Sequence, residues 1–241
     1  MSFEVVIPAL AFRTAENELD LGLTRAYAER AAGTWADRFI LSGSTVLGDL
    51  LAPTERALIL DVWSEVMERS RLVACCWCRE DIEQAGQRKI LPLVVMRDLH
   101  DRAQACSFFA GLPEGAFVYS NPKFTPTALD PALAVAAEQR GLLPAGAKIS
   151  KLAVGDIGRI HSSIGNGFTL WDGSSRYIEA SLAAGASGVV ATPLAVLPEP
   201  FPGRSTEKVQ AAVKRLYSQV DRAASREDRM NLLTSLFRHA A

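Results

Sequence analysis

Eight short runs of apolar or β-branched residues, separated by mostly helical stretches, constrain this chain more than any other feature. They fall at residues 3–8, 38–41, 72–76, 91–96, 116–119, 147–154, 168–171 and 188–192. Continuous apolar runs that alternate with helices predict a parallel sheet covered on both faces. Eight repeats of that unit predict an α/β fold of the (β/α)8 TIM barrel type, and the 241 residues suit a single such barrel.

Local signals support the helices. Asp130-Pro131 reads as an N-cap with proline at the first helical position, and Gly141 ends that helix. Pro53 opens another, in which Leu58, Ile59, Val62 and Val66 are expected to share one apolar face. Pro198, Pro200 and Pro202 make a stiff linker after the eighth strand. Beyond it Val209, Val213, Leu216 and Val220 form an apolar stripe, and Ser225 with Asp228 has capping-box-like spacing. The expected organisation is a barrel over residues 1–198 and a helical tail over 199–241, packed on the barrel or on a neighbouring subunit. Two links are short for a helix plus loops, 79–89 and 157–167, so an open or trimmed barrel is an alternative.

Composition excludes several functions. Lys plus Arg number 26 and Asp plus Glu 27, which leaves a net charge of −1 and no basic tract, so nucleic acid is not an expected partner. The N-terminus lacks a basic start followed by a long apolar run, and no apolar run approaches the roughly 20 residues needed to span a bilayer. Four cysteines in a chain this long do not form a disulfide framework. These features lead to the expectation of a cytoplasmic protein with no membrane partner.

The common catalytic motifs fail on inspection. There is no Gly-x-Ser-x-Gly. The stretch GLLPAGAK (141–148) lacks the lysine directly after its second glycine that a phosphate loop requires. Gly165-Asn166-Gly167 lacks the third glycine of a dinucleotide fingerprint. On a strand Cys75 points opposite to Cys76 and Cys78, and the three are read as structural. His100, His161 and His239 are too scattered for a metal centre or a triad. The expected chemistry therefore uses no metal and no cofactor.

Barrel enzymes carry their chemistry at the carboxyl ends of the strands. The residues expected there include the Gly43-Ser44-Thr45 turn, Tyr119, and two lysines in or near the sixth strand, Lys148 and Lys151. Lysine is rarely buried unless paired or functional, and desolvation favours the neutral amine that can attack a carbonyl. A tyrosine hydroxyl can pass protons, and a Gly-Ser-Thr turn can hold a carboxylate. Lys148 and Lys151 are three apart, so on a regular strand they face opposite sides and only one points inward.

In order along the chain these elements resemble the dihydrodipicolinate synthase / N-acetylneuraminate lyase family of pyruvate-dependent class I aldolases. The resemblance covers about residues 3–198. It is carried by Ile7-Pro8-Ala9-Leu10, Gly43-Ser44-Thr45 with Ala52-Pro53-Thr54-Glu55-Arg56, Tyr119-Ser120-Asn121-Pro122 with Thr125, Lys151-Leu152-Ala153-Val154-Gly155-Asp156, and Ala184-Gly185-Ala186-Ser187-Gly188-Val189-Val190. It implies a lyase or aldolase that joins or splits a 2-oxo acid and an aldehyde through a lysine Schiff base. Lys151 is then the imine-forming residue and Tyr119 the proton shuttle. Ser44 and Thr45 bind the carboxylate, and Val190 lines the pocket. The spacing to Gly155-Asp156 selects Lys151, while Gly146-Ala147-Lys148 also resembles the family's Gly-x-Lys and makes Lys148 the alternative. The family is commonly tetrameric, which implies a homo-oligomer, a dimer or a tetramer.

The departures are specific. Ala11-Phe12 replaces a Thr-Pro, and Val46-Leu47 replaces a Gly-Glu. Phe124 stands where synthases carry an arginine for the second substrate. The tyrosine expected after the fourth strand is absent near Arg97-Asp98. These changes argue against the lysine-pathway synthase itself and point to a less polar second substrate. A non-catalytic barrel that binds a ligand or a protein partner is the competing reading, and a Schiff-base dehydratase or hydratase is a third.

Overall fold

The computed structural model describes residues 3–165 and 167–239; Asn166 of the rejected glycine motif lies outside them. Eight parallel strands close into a barrel in chain order. They are β1 (Glu4–Pro8), β2 (Arg38–Leu41), β3 (Leu72–Cys76), β4 (Leu91–Val95), β5 (Phe117–Ser120), β6 (Gly146–Ile149), β7 (Thr169–Asp172) and β8 (Gly188–Val190). Helices follow them: α1 (Leu21–Ala32), α2 (Pro53–Val66), α3 (Arg79–Gln87), α4 (Arg102–Ala110), α5 (Pro131–Glu138), α6 (Val154–Ile164) and α7 (Ile178–Ala183). After β8 come α8 (Thr206–Val220) and α9 (Arg226–His239). Among the described residues no helix is long and apolar enough to cross a membrane.

The barrel is closed, neither open nor trimmed. The two short links close for different reasons. The 79–89 link holds a nine-residue helix because α3 starts at Arg79, with only two residues between it and the end of β3. Its start is capped by the Asp81 carboxylate, which accepts from Trp77 N at 2.7 Å and Cys78 N at 3.1 Å. The other link gains length because the sixth strand is shorter than the apolar run suggests. β6 ends at Ile149, and α6 begins at Val154, a residue the hydrophobic pattern assigns to the strand. In α2 the expected apolar face is also revised. Ile59 and Val62 are buried, but Leu58 is exposed, and Leu60, Trp63 and the charged Arg56 complete the buried side.

The chain divides into two compact units. One comprises residues 3–4 and Pro92–Val190, the other Val5–Leu91 and residues 191–239. In the first unit, strand alternation is clear. Val118, Ala147, Ile149 and Leu170 join a buried cluster with Ala105, Cys106 and Phe109 of α4, Leu133, Ala134 and Ala137 of α5, and Ile157 and Ile160 of α6. Successive side chains on a strand point to opposite faces. Phe117, Tyr119, Gly146, Lys148, Thr169 and Trp171 therefore face the barrel interior. The parallel register aligns Phe117 with Gly146 and Thr169, and Tyr119 with Lys148 and Trp171.

Gly146 is required by that interior layer. The Phe117 ring covers it and packs on Trp171 with centroids 4.9 Å apart. A Cβ at 146 would sit 2.5 Å from the Phe117 ring and 2.7 Å from Thr169 O. Trp171 Nε1 in turn donates to Glu4 Oε2 at 2.6 Å.

The second unit has an aromatic core of Phe12, Tyr27, Phe39, Trp63 and Phe237, whose rings pack at 4.9–5.8 Å. Phe237 comes from α9, so the C-terminal helix is part of this core. The Tyr27 hydroxyl donates to Ala195 O at 2.7 Å, and burial pushes its pKa up. The stripe Val209, Val213, Leu216 and Val220 is buried along α8. In the proline-rich linker, Trp35 Nε1 donates to Pro202 O at 2.5 Å.

Gly146→Ala is expected to destabilise the protein by about 1–3 kcal/mol, because the methyl meets a ring and a backbone oxygen that cannot both retreat. Urea unfolding followed by circular dichroism measures it, and an unchanged midpoint would contradict the layer described.

Candidate active site

In the first unit Tyr119 and the alternative lysine, Lys148, meet on β5 and β6. Lys148 is only 4% exposed, although it is a lysine in mid-strand. Its Nζ lies 3.9 Å from the centroid of the Tyr119 ring, and Tyr119 itself is 1% exposed. The cation sits on the ring face, where the aromatic quadrupole attracts positive charge. The strands fix this pair, since Tyr119 and Lys148 are register partners on one face of neighbouring parallel strands.

Lys151 lies elsewhere. Its placement in the sixth strand is corrected by the structure: the strand has ended, and Lys151 is exposed with φ +62°. The last ladder bonds run from Ser150 N to Ser120 O and from Gly173 N to Ile149 O, each 2.9 Å. A left-handed residue cannot continue a strand. It turns the chain outward into α6, so Gly155 and Asp156 are helical residues rather than a strand continuation. The sequence does hold a signal for this. Ala147 and Ile149 flank Lys148 as the alternation requires, whereas Ser150-Lys151 breaks the apolar run.

The loop after β5 closes around Tyr119. Asn121 Nδ2 donates to Tyr119 Oη at 2.8 Å, and the Phe124 ring stands 6.2 Å from the Tyr119 ring at 65°. Phe124 O accepts from Asp98 N at 3.0 Å, which ties the loop after β4 to the loop after β5. Arg97 and Asp98 pair with each other at 3.4 Å and are exposed. Lys123 is exposed as well. Val190 is buried at the end of β8 and shares the inward face of Gly188, the register partner of Trp171. Asp172, at the end of β7, faces the helices. It is buried and accepts from Ser174 N at 2.9 Å, Ser174 Oγ at 3.2 Å and Ser181 Oγ at 2.6 Å, which fixes the loop into α7. An open cleft of about 680 Å³ lies at the same loops, lined by His100, Asp101, Arg102, Pro126, Thr127 and Asp130; Tyr119 and Lys148 are not among its walls.

In the second unit Ser44 and Thr45 form a single 3-10 turn (Ser44–Val46) just past the carboxyl end of β2. A second such turn (Gly48–Leu50) follows, and Leu47 between them is left-handed at φ +55°. Gly48 N donates to Gly43 O at 3.0 Å, and a Cβ at 48 would lie 1.7 Å from Ser42 O. Only glycine lets the two backbones approach this closely. Trp77 Nε1 donates to the same Ser42 O at 2.8 Å.

Two arginines that sequence motifs did not single out for a role hold this region. Arg56 is buried in α2, and its Nε donates to Asp81 Oδ1 at 2.8 Å. Its Nη1 also reaches the carbonyls of Gly48, at 3.1 Å, and Leu51. Desolvation pulls the Arg56 pKa down, but the hydrogen bonds and charges of Asp81 and Cys78 together outweigh it, so the net shift is upward. Arg226, the first residue of α9, forms a two-pronged pair with Asp49 and donates to Ser44 O from Nη2 at 3.0 Å. The Ser44–Thr45 turn is thus clamped by a residue some 180 positions away, which no local motif could announce. The Cys75, Cys76 and Cys78 series splits in the same region: the first two are buried on β3, and Cys78 is exposed at the N-cap of α3.

No protein-family model matches the sequence, and no curated protein sequence matches it. Solved structures do resemble it. A Sulfolobus solfataricus 2-keto-3-deoxygluconate aldolase variant in a pyruvate complex superposes with a TM-score of 0.75 at 18% identity, covering 98% of this chain and 85% of that one. Ruminococcus gnavus sialic acid aldolase gives 0.77 at 12% identity, covering 99% of both chains. YagE, a prophage protein of the dihydrodipicolinic acid synthase family from E. coli K12 in complex with pyruvate, gives 0.77 at 19%, covering 99% of this chain and 88% of that one. The chain has the fold of these proteins. At such identities the likeness extends to the backbone path and leaves the site residues to be argued from their own geometry.

Arg226→Ala is expected to cost on the order of 1 kcal/mol and to release the turn it holds. Hydrogen–deuterium exchange should then speed up over residues 43–50, and unchanged exchange there would show that the clamp has no hold on the turn.

Proposed function

We propose that this chain is a class I aldolase of the dihydrodipicolinate synthase / N-acetylneuraminate lyase type, with Lys148 as its imine-forming residue. The observation that carries this reading is a lysine buried in mid-strand on the inward face of a barrel, its amine over the ring of a buried tyrosine. Buried lysines are rare without a partner or a task. The left-handed Lys151 is exposed and lacks that burial.

The chemistry follows from the groups present. The Lys148 ammonium first gives a proton to solvent; the amine lone pair then adds to the ketone carbon of a 2-oxo acid, and the proton that the nitrogen sheds on addition is taken up by the carbonyl oxygen. The carbinolamine then loses water: the C–O bond breaks with its electron pair, Tyr119 supplies the proton that completes the leaving water, and a C=N+ bond forms. The iminium charge lies on the ring face that now holds the ammonium. Cleavage of the C3–C4 bond sends its electron pair into the iminium to give an enamine. The aldol hydroxyl gives its proton to the tyrosinate, and an aldehyde leaves. Protonation at C3 and hydrolysis then release the 2-oxo acid. No cofactor enters any step.

Ser44 and Thr45 are assigned the carboxylate, on hydroxyl chemistry at a strand's carboxyl end and on the sequence resemblance. Val190 is assigned to the pocket wall. Phe124, packed on Tyr119 where synthases carry an arginine, favours an aldehyde less polar than theirs.

Incubation with pyruvate and borohydride, followed by peptide mass spectrometry, tests the reading. The expected adduct is on Lys148; Lys148→Ala should abolish it and Lys151→Ala should leave it. An adduct on Lys151 would transfer the role to that residue. No adduct with pyruvate or longer 2-oxo acids would favour a ligand-binding barrel.

A further inference from the structure

The Tyr119 hydroxyl has a neighbour to which the proton shuttle gives no task. Asn121 Nδ2 donates to Tyr119 Oη at 2.8 Å. The amide cannot be turned around, because its Oδ1 accepts from Lys123 N at 3.0 Å, so the amino end must face the tyrosine. The backbone of Asn121 is held too: its carbonyl accepts from Phe124 N at 2.9 Å and from Thr125 N at 3.3 Å. Thr125 is buried, and its Oγ1 donates to Leu99 O at 2.9 Å. The donor aimed at Oη is therefore fixed by the loop rather than free to rotate.

An N–H aimed at a phenolic oxygen has two effects. It occupies a lone pair, so the tyrosine's own proton is turned away from Asn121. It also stabilises negative charge on Oη, because a hydrogen bond to the charged form favours that form. A carboxamide nitrogen has no lone pair with which to take up the tyrosine's proton and pass it on.

We propose that Asn121 is a positioning residue for Tyr119, holding the tyrosinate that forms each time Tyr119 gives its proton away. The proposal rests on the reading of Tyr119 as the shuttle. When the carbinolamine loses water, the Tyr119 proton goes to the departing oxygen and the O–H electron pair stays on Oη. Asn121 N–H holds that charge until the aldol hydroxyl returns a proton as the C–C bond breaks. The loop between β4 and α4 holds no tyrosine, and Asn121, in the loop after β5, supplies the hydrogen bond that such a residue could give. The proton then stays between substrate and Tyr119 with no onward relay through Asn121. Lys148 faces the Tyr119 ring from β6; Val95, its register partner on β4, and Phe124 in the loop are uncharged.

Two variants share one loss. Asn121→Ala removes the donor and the anchor to Lys123 N. Asn121→Asp removes the donor but keeps an oxygen for that anchor. Tyrosine labelled with carbon-13 at Cζ reports ionisation directly, and Tyr119→Phe assigns the signal among the four tyrosines. In both variants the Tyr119 titration midpoint should move up by about one pH unit. The rate of borohydride-trapped pyruvate adduct formation should fall about tenfold in both. A wild-type midpoint and rate in Asn121→Asp would overturn the proposal and leave Asn121 as a turn anchor only. Should Asn121→Asp not fold, Asn121→Ser carries the same comparison, since its hydroxyl can still accept in the turn. If the wild-type protein traps no 2-oxo acid, the shuttle reading fails. The substrate-free titration still decides whether Asn121 holds the Tyr119 oxygen.

Discussion

The alignment of Tyr119, Lys148 and Trp171 across β5, β6 and β7 is the constraint on which the first unit depends. In a parallel sheet, register partners point the same way, and a slip of one residue sends every side chain to the other face. The register is held from both sides. Outward, Val118, Ala147, Ile149 and Leu170 are locked into the helical layer. Inward, the Phe117 ring fills the space above Gly146 and packs on Trp171, which is tethered to Glu4. Lys148 is buried because its neighbours on the strand must face the helices.

The second unit uses a different device. Its turn after β2 is short, partly left-handed and built on an unusually close backbone approach at Gly48. Such a turn needs outside support, and two arginines supply it. Arg56 ties it to α2 and α3 through Asp81, and Arg226 ties it to α9 through Asp49 and Ser44 O. Arginine suits both positions because its planar fork satisfies a carboxylate and backbone carbonyls together. The C-terminal helix is thereby part of the scaffold of the Ser44–Thr45 turn, and Phe237 anchors its far end in the aromatic core.

Much of the barrel was legible in the chain. Strands of alternating or continuous apolar residues, N-caps such as Asp130 and the stripe on α8 are local patterns, and local patterns survive in sequence. One departure falls at a strand end. The run 147–154 is apolar at both ends, and hydrophobicity alone does not mark where the ladder stops. The Ser150-Lys151 step, with its left-handed residue, marks it. The spacing from Lys151 to Gly155-Asp156 counts residues without registering that the chain has by then turned into a helix. Leu58 was misassigned because the buried side of α2 is set by what packs on it, including a charged Arg56 paired with Asp81.

The sequence by itself determined the number of repeats, the parallel barrel they imply and the short set of residues from which a site could be built. It did so because burial on both faces of a strand and the capping of helices are written in adjacent residues. Only the tertiary structure decided that Lys148 lies over the Tyr119 ring, that Asn121 meets the Tyr119 hydroxyl, and that Arg226 holds the Ser44–Thr45 turn. Those outcomes depend on register across strands and on contacts between residues far apart in the chain, and no local pattern encodes either.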